Sequence, residues 1–162
     1  MTQFSLKPLL LSLMLATGIG GSLVSGVALA RTNSLESGEA VFEVLASEIA
    51  LQRGEAGLAY NTYLELARQL NDPRLAQRAM EIAITAGAPD LALNAAQVWD
   101  SLAGPQQTKP KEVLITLLIL NQRWSYAVRP TIALLNQQNP AQRENTLLQI
   151  QALISKARDE SE

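Results

Sequence analysis

Apolar positions recur along this chain at helical spacing, in blocks closed off by glycine or proline. The clearest block is Gln52–Pro73, QRGEAGLAYNTYLELARQLNDP. After Gly54 come Leu58, Ala59, Thr62, Tyr63, Leu66, Ala67 and Leu70, the spacing of one face of a 3.6-residue helix. The block ends on Asn71-Asp72-Pro73. Aspartate is a good N-cap, and proline suits the first helical position because its missing N–H would have had no partner there. The pattern predicts helix, glycine turn, helix, then a third helix. Such a unit cannot bury its apolar side alone, so it requires neighbours.

The flanking blocks supply them. Helix one is expected over Glu39–Arg53, apolar around most of its circumference through Val41, Phe42, Val44, Leu45, Ile49 and Leu51, with Glu39, Glu43 and Ser47 as its wet stripe. A helix this apolar packs on more than one side. Helices two and three can provide both surfaces, or a partner protein can provide the second. Helix two covers Ala56–Leu70. Helix three runs from the Asp72-Pro73 cap to Ala86, with Leu75, Ala79, Ile82, Ala83 and Ala86 apolar. Its opposite face carries Arg74, Gln77, Arg78, Glu81 and Thr85. Helix four follows Gly87-Ala88-Pro89 to Leu102, with Leu91, Ala92, Ala95, Val98, Trp99 and Leu102 inward. Gly104–Lys109 is the longest break. Helix five, Pro110–Gln122, holds VLITLLIL, at about eight residues far too short to cross a membrane, and reads as a buried helix. Helix six, Ser125–Gln137, contains Pro130, which predicts a kink or a fresh start near Arg129. Helix seven starts at Asn139-Pro140 and runs to Ala157, a closing helix for the stack. Residues 158–162 form a frayed acidic tail.

The blocks repeat. Gly87 follows Gly54, and Ala92 follows Ala59, by about 33 residues; Pro73, Pro105 and Pro140 are about 32 and 35 apart, within the range of helical-pair repeats. This resembles the tetratricopeptide repeat (TPR). In that family a glycine ends the first helix of each pair, a small residue opens the packing face of the second, an aromatic follows, and a proline starts the next unit. Gly54, Ala59, Tyr63 and Pro73 occupy those places in the first unit, the proline displaced by two. Gly87, Ala92 and Pro105 do so in the second, with Ala96 in place of the aromatic. In the third, Arg123 stands in the glycine place, Val128 in the small-residue place and Ile132 in the aromatic place, and Pro140 closes the unit. The usual tryptophan and leucine-glycine of the first helix are absent. The likeness covers residues 39–140. SEIALQRG and YLELARQLNDPRLAQRAMEIA also look like the opening repeats of exported TPR proteins of proteobacteria. Those chains are usually longer, which would make this one a short or truncated relative.

The resemblance implies an all-α fold, a right-handed superhelical stack of antiparallel helix pairs with about three repeats and a C-terminal capping helix, over residues 39–157. It implies a concave groove lined by the first helix of each pair. That register places Glu48 and Leu51 on the groove from helix one. From helix three it places Arg74, Gln77, Arg78, Glu81 and Thr85, and from helix five Val113, Leu117 and Asn121. The plainer reading is that the helix-three residues are a solvated face, with Arg78 and Glu81 paired across one turn, and that Val113 and Leu117 are core. Val44 and Glu48 replace the lysine and asparagine with which some TPR domains clamp a free C-terminus, so that mode of capture is not expected.

Residues 1–30 read as a signal peptide. Lys7 supplies the positive start, Pro8–Leu15 the apolar heart, and Ala28-Leu29-Ala30 a small-x-small site before the cut, so Arg31 becomes the mature N-terminus. Residues 31–38 would be a flexible leader. The alternative is an uncleaved anchor, since the apolar stretch of about 23 residues is long enough to span a bilayer. Cleavage makes the protein periplasmic; retention makes it an inner-membrane protein facing the periplasm. No cysteine follows the apolar segment, which excludes a lipoprotein anchor.

Composition narrows the function. The chain is 48% hydrophobic but only 4% aromatic, a profile of packed helices. A net charge of −2 lacks the basic excess of a nucleic-acid binder. Without cysteine there is no disulfide or thiolate; without histidine the commonest acid–base group and metal ligand are missing. Glu48, Glu55, Glu65 and Glu81 are scattered over separate helices and read as surface charge, and Ser47 and Ser101 have no histidine to activate them. The expectation is therefore a non-catalytic interaction module of the cell envelope, without metal or small-molecule cofactor. Its partners would be other envelope proteins and not nucleic acid, with the membrane involved only if the N-terminal segment is retained. The alternative is a membrane-anchored structural subunit of a larger envelope complex.

N-terminal sequencing of the exported protein should begin at Arg31. Ala30→Phe should block the cut and leave the chain in the membrane fraction. A wild-type protein that still begins at Met1 would overturn the cleaved reading.

Overall fold

The computed structural model describes the backbone of residues 23–159, with side chains from residue 38 onward. The described residues form seven helices and no strand: α1 (Leu23–Gln52), α2 (Ala56–Leu70), α3 (Pro73–Thr85), α4 (Pro89–Leu102), α5 (Lys109–Leu120), α6 (Trp124–Gln137) and α7 (Pro140–Asp159). The described residues from Glu39 onward form one compact unit, which holds the stack. From α2 to α6 each helix packs on the next, α2 also touches α4, and α7 turns back onto α5.

What repeats is a turn. Gly54 has φ 84°, Gly87 φ 67° and Gln122 φ 57°, each left-handed and each just after a first helix. In all three the left-handed residue donates its N–H three residues back, Gly54 to Leu51, Gly87 to Ile84 and Gln122 to Ile119. The next residue donates five back, Glu55 to Ala50 (2.9 Å), Ala88 to Ala83 (2.9 Å) and Arg123 to Leu118 (2.8 Å). These are Schellman closures, which satisfy carbonyls the helix end would leave unpaired. Glu55, Ala88 and Arg123 then share one N-cap geometry, φ/ψ −86/54°, −106/79° and −91/55°, with no side-chain cap. The left-handed place in the third unit therefore belongs to Gln122, one residue before the expected Arg123. Only glycine adopts that conformation without a Cβ penalty, and the third repeat accepts the penalty.

Alanines set the helix spacing. Ala59, Ala67, Ala76, Ala79, Ala95 and Ala96 are fully buried, and Tyr60, Tyr63 and Trp99 fill the space beside them. The entries into α3 and α7 use side chains. Asp72 accepts the Arg74 N–H (2.9 Å); Asn139 and Gln142 cap each other reciprocally (3.1 and 2.9 Å), a capping-box arrangement.

Several details differ from the sequence reading. α1 is helical from the first described residue, Leu23, through residues 31–38, the stretch expected as a leader. That stretch has no proline, and its Thr, Asn and Ser cost only about a few tenths of a kcal/mol each in a helix. The expected apolar heart of the signal segment, and residues 160–162 of the acidic tail, lie outside the described residues. On α1 the expected wet stripe holds only in part, with Glu39 exposed and Glu43 half-buried. Ser47 is buried, its hydroxyl donating to the Glu43 carbonyl (2.8 Å), while Val41, Phe42, Leu45 and Ile49 are exposed. A helix apolar all round gives no moment to choose a side, and the small Ser47 and Ala50 allow the closer approach. Leu58, Leu70 and Leu91, expected inward, are exposed; Tyr60, Leu64, Leu93 and Ala96 take the core positions instead. α6 is continuous through Pro130 and does not start afresh near Arg129. α7 leaves Leu147, Leu148 and Ile154 exposed and packs through Ile150, Leu153 and Ala157.

Gln122→Gly should raise stability by about 0.5–1 kcal/mol, because it removes the left-handed penalty. Gly87→Ala should lower it by about 1–2 kcal/mol, although open space surrounds the added methyl. Thermal melts of the two variants check this, with opposite shifts expected.

Candidate partner-binding groove

Glu48 of α1, Tyr63 of α2 and Arg78 of α3 form one network. Arg78 reaches Glu48 with two parallel bonds, Nε to Oε1 (3.0 Å) and Nη2 to Oε2 (2.9 Å). The Tyr63 hydroxyl donates to the same Oε1 at 2.6 Å. The fork geometry is what arginine offers a carboxylate and lysine cannot. Arg78 lies further from Glu81, at 3.6 Å. The expected one-turn pair therefore exists, but as the weaker arm of a guanidinium committed to another helix.

The network shifts all three groups. The hydrogen bonds from Arg78 first, then Tyr63, hold the Glu48 carboxyl below its ordinary value. Burial first, and the Glu48 hydrogen bond second, push Tyr63 up to about 12. Bonding to Glu48 raises Arg78. Charged Glu48 and neutral Tyr63 are thus the forms the fold selects.

Beside the network lies a hollow of about 350 Å³ lined by Leu51, Ala56, Arg78, Ile82, Thr85 and Ala86. Three expected groove residues, Leu51, Arg78 and Thr85, meet there. Glu48 joins through Arg78. Gln77 donates to Glu81 Oε1 (3.0 Å), and the Thr85 hydroxyl to the Glu81 carbonyl (2.9 Å). Arg74 instead folds back onto its N-cap Asp72, Nη2 to Oδ2 at 2.6 Å, holding that carboxyl below its usual range. On α5, Val113 and Leu117 are half-buried against the core, and Asn121 donates to the Leu117 carbonyl (2.7 Å). None of these three α5 residues lines the hollow.

Sequence reading missed Tyr63 as a polar member, taking it for a packing aromatic. The only signal was the type, since a buried tyrosine hydroxyl seeks a partner. Tyr60 behaves alike: its hydroxyl donates to the Leu91 carbonyl and accepts from Asn94, both at 3.1 Å, tying α2 to α4.

Among the described residues no three His, Cys, Asp or Glu side chains gather as a metal would need, and no helix is long and apolar enough to cross a membrane. A scan of the chain against protein-family models and a search of curated proteins find no match.

The pH dependence follows with its sign. Glu48 has a lowered pKa in the fold, so its contribution is present above the unfolded carboxyl value and lost as pH falls through the folded one. Tyr63 is raised from 10.0 to about 12, so its contribution is intact below pH 10 and lost as pH rises to about 12. Tyr63→Phe should flatten the alkaline fall in melting temperature and leave an acid fall in place. Identical alkaline limbs for the two proteins would remove Tyr63 from this role.

Proposed function

We propose that the chain is a TPR-type, non-catalytic binding module of the bacterial cell envelope, which takes a peptide or helix of another envelope protein in the groove of α1, α3 and α5. The observation that carries this reading is the hollow between α1 and α3. Its walls are apolar at Leu51, Ala56, Ile82 and Ala86, and a charged group, Arg78, stands at its edge with its position fixed by Glu48. The three equivalent turns, 33 and 35 positions apart, support the repeat family. Apolar walls with one oriented polar group suit an amphipathic segment. The envelope location rests on the N-terminal segment.

A second reading, a membrane-anchored structural subunit, draws on α1, which is helical without a break from Leu23 to Gln52, across Ala30 and Arg31. The mass of the protein in the periplasmic and membrane fractions separates the two.

Arg74→Glu with Arg78→Glu would be a poor probe, because a glutamate at 78 faces Glu48 and destabilises the stack. Thr85→Arg is better. Thr85 is exposed, and a long side chain there obstructs the hollow without entering the core. Affinity purification from envelope extract should lose partners with this variant at an unchanged melting temperature. Full recovery of every partner would move binding elsewhere.

A further inference from the structure

The side of α1 that faces away from the core is built from large apolar residues. Val41, Phe42, Leu45 and Ile49 are 60%, 71%, 58% and 49% exposed, while Ser47 and Ala50 on the opposite side are buried. Phe42, Leu45 and Ile49 follow one another at intervals of three and four, the spacing that keeps a seam against one partner helix. The seam borders a hollow of about 320 Å³ between α1 and α2, lined among others by Phe42, Glu43, Leu58 and Glu65. Leu58 adds a further exposed apolar side chain from α2.

Charge decides what covers it. Glu39 lies on α1 beside the seam, Glu43 is half-buried one turn before Ser47 at the wall of the hollow, and Glu65 stands across the hollow on α2. Among the described residues no cation pairs with any of the three. From Glu39 to Gln52 α1 carries no basic residue, and Arg53 comes only after the helix ends. A second copy of the seam would bring these acids against each other. An anionic bilayer would be repelled. We propose that the outward face of α1, with Leu58 and the Glu43–Glu65 hollow, docks an amphipathic helix flanked by lysine or arginine. This surface is separate from the Leu51–Arg78–Thr85 hollow and does not depend on it.

The probe is a labelled synthetic heptad peptide with leucine at its seam positions and lysine beside them, kept below its self-association concentration; a matched peptide carries glutamate in place of lysine. Fluorescence anisotropy with the full chain should show saturable binding of the lysine peptide and at least tenfold weaker binding of the glutamate peptide. Phe42→Ser with Leu45→Ser should abolish binding at an unchanged melting temperature, both side chains being exposed. Glu43→Lys with Glu65→Lys should reverse the preference between the peptides. Equal binding of both peptides, or binding that survives the serine substitutions, overturns the proposal. So does a dimer in sedimentation that those substitutions dissociate, which would make the face a contact between copies. Adsorption to phosphatidylglycerol vesicles that the same substitutions remove would assign it to a membrane.

Discussion

Reversing the chain within a few residues is the constraint on which the stack depends. Each first helix must end and each second helix begin without leaving backbone groups unpaired, and no side chain caps the second helix at Glu55, Ala88 or Arg123. The left-handed residue resolves this. It turns the chain and aims two N–H groups at carbonyls of the helix just finished. Because the same φ/ψ values recur, the second helix leaves in the same direction each time. The buried alanines then let the paired helices close on one another, and larger side chains there would overpack the crossings at about 1–3 kcal/mol each.

The legible parts of the sequence were those written in backbone chemistry. Gly54 and Gly87 announce left-handed turns, Asp72-Pro73 announces a helix start, and Ala59 announces a crossing, where it is fully buried. Gln122 occupies the third turn unannounced, because the geometry tolerates a Cβ at modest cost and composition then carries no trace. The orientation of α1 was illegible for another reason. Its apolar residues surround the helix, so periodicity cannot rank its faces, and Ser47 and Ala50 take the closest approach while Val44 and Leu51 flank them against the core. The candidate groove divides similarly. A shared face on α3 follows from periodicity, but the pairing of Glu48 with Arg78 spans 30 residues and three helices, which no local pattern encodes.

That pairing changes what the α1–α3 hollow can do. Arg78 is not a free cation awaiting a carboxylate; a partner's acid would have to displace Glu48 and leave it without its fork. Removing one member of a partly buried, hydrogen-bonded charge pair costs more than the pair contributes. Recognition there is better served by the apolar walls and by Thr85, with the Glu48–Arg78 pair holding α1 against α3 as a rigid edge. Tyr63 reinforces this, since its neutral hydroxyl completes the carboxylate's bonding from the core side.

α1 thus carries two unlike surfaces, and their energetics differ. Inward, Ser47 and Ala50 are buried and Val44 and Leu51 pack beside them. Outward, Val41, Phe42, Leu45 and Ile49 keep about half or more of their surface in water. Complete burial of one such side chain is worth about 1.5–3 kcal/mol, so covering what remains exposed on these four would yield roughly 4–7 kcal/mol. Association costs about 4–15 kcal/mol in lost freedom and ordering. Apolar burial of these four side chains offsets only the lower part of that cost, so selectivity for one helix over another has to come from elsewhere. Glu39 beside the seam, and Glu43 and Glu65 at the hollow, have no cationic partner among the described residues and are placed to supply it. They raise the encounter rate for a basic helix and disfavour acidic ones, so the same four apolar residues that would be nonspecific by themselves become selective through the charges that border them.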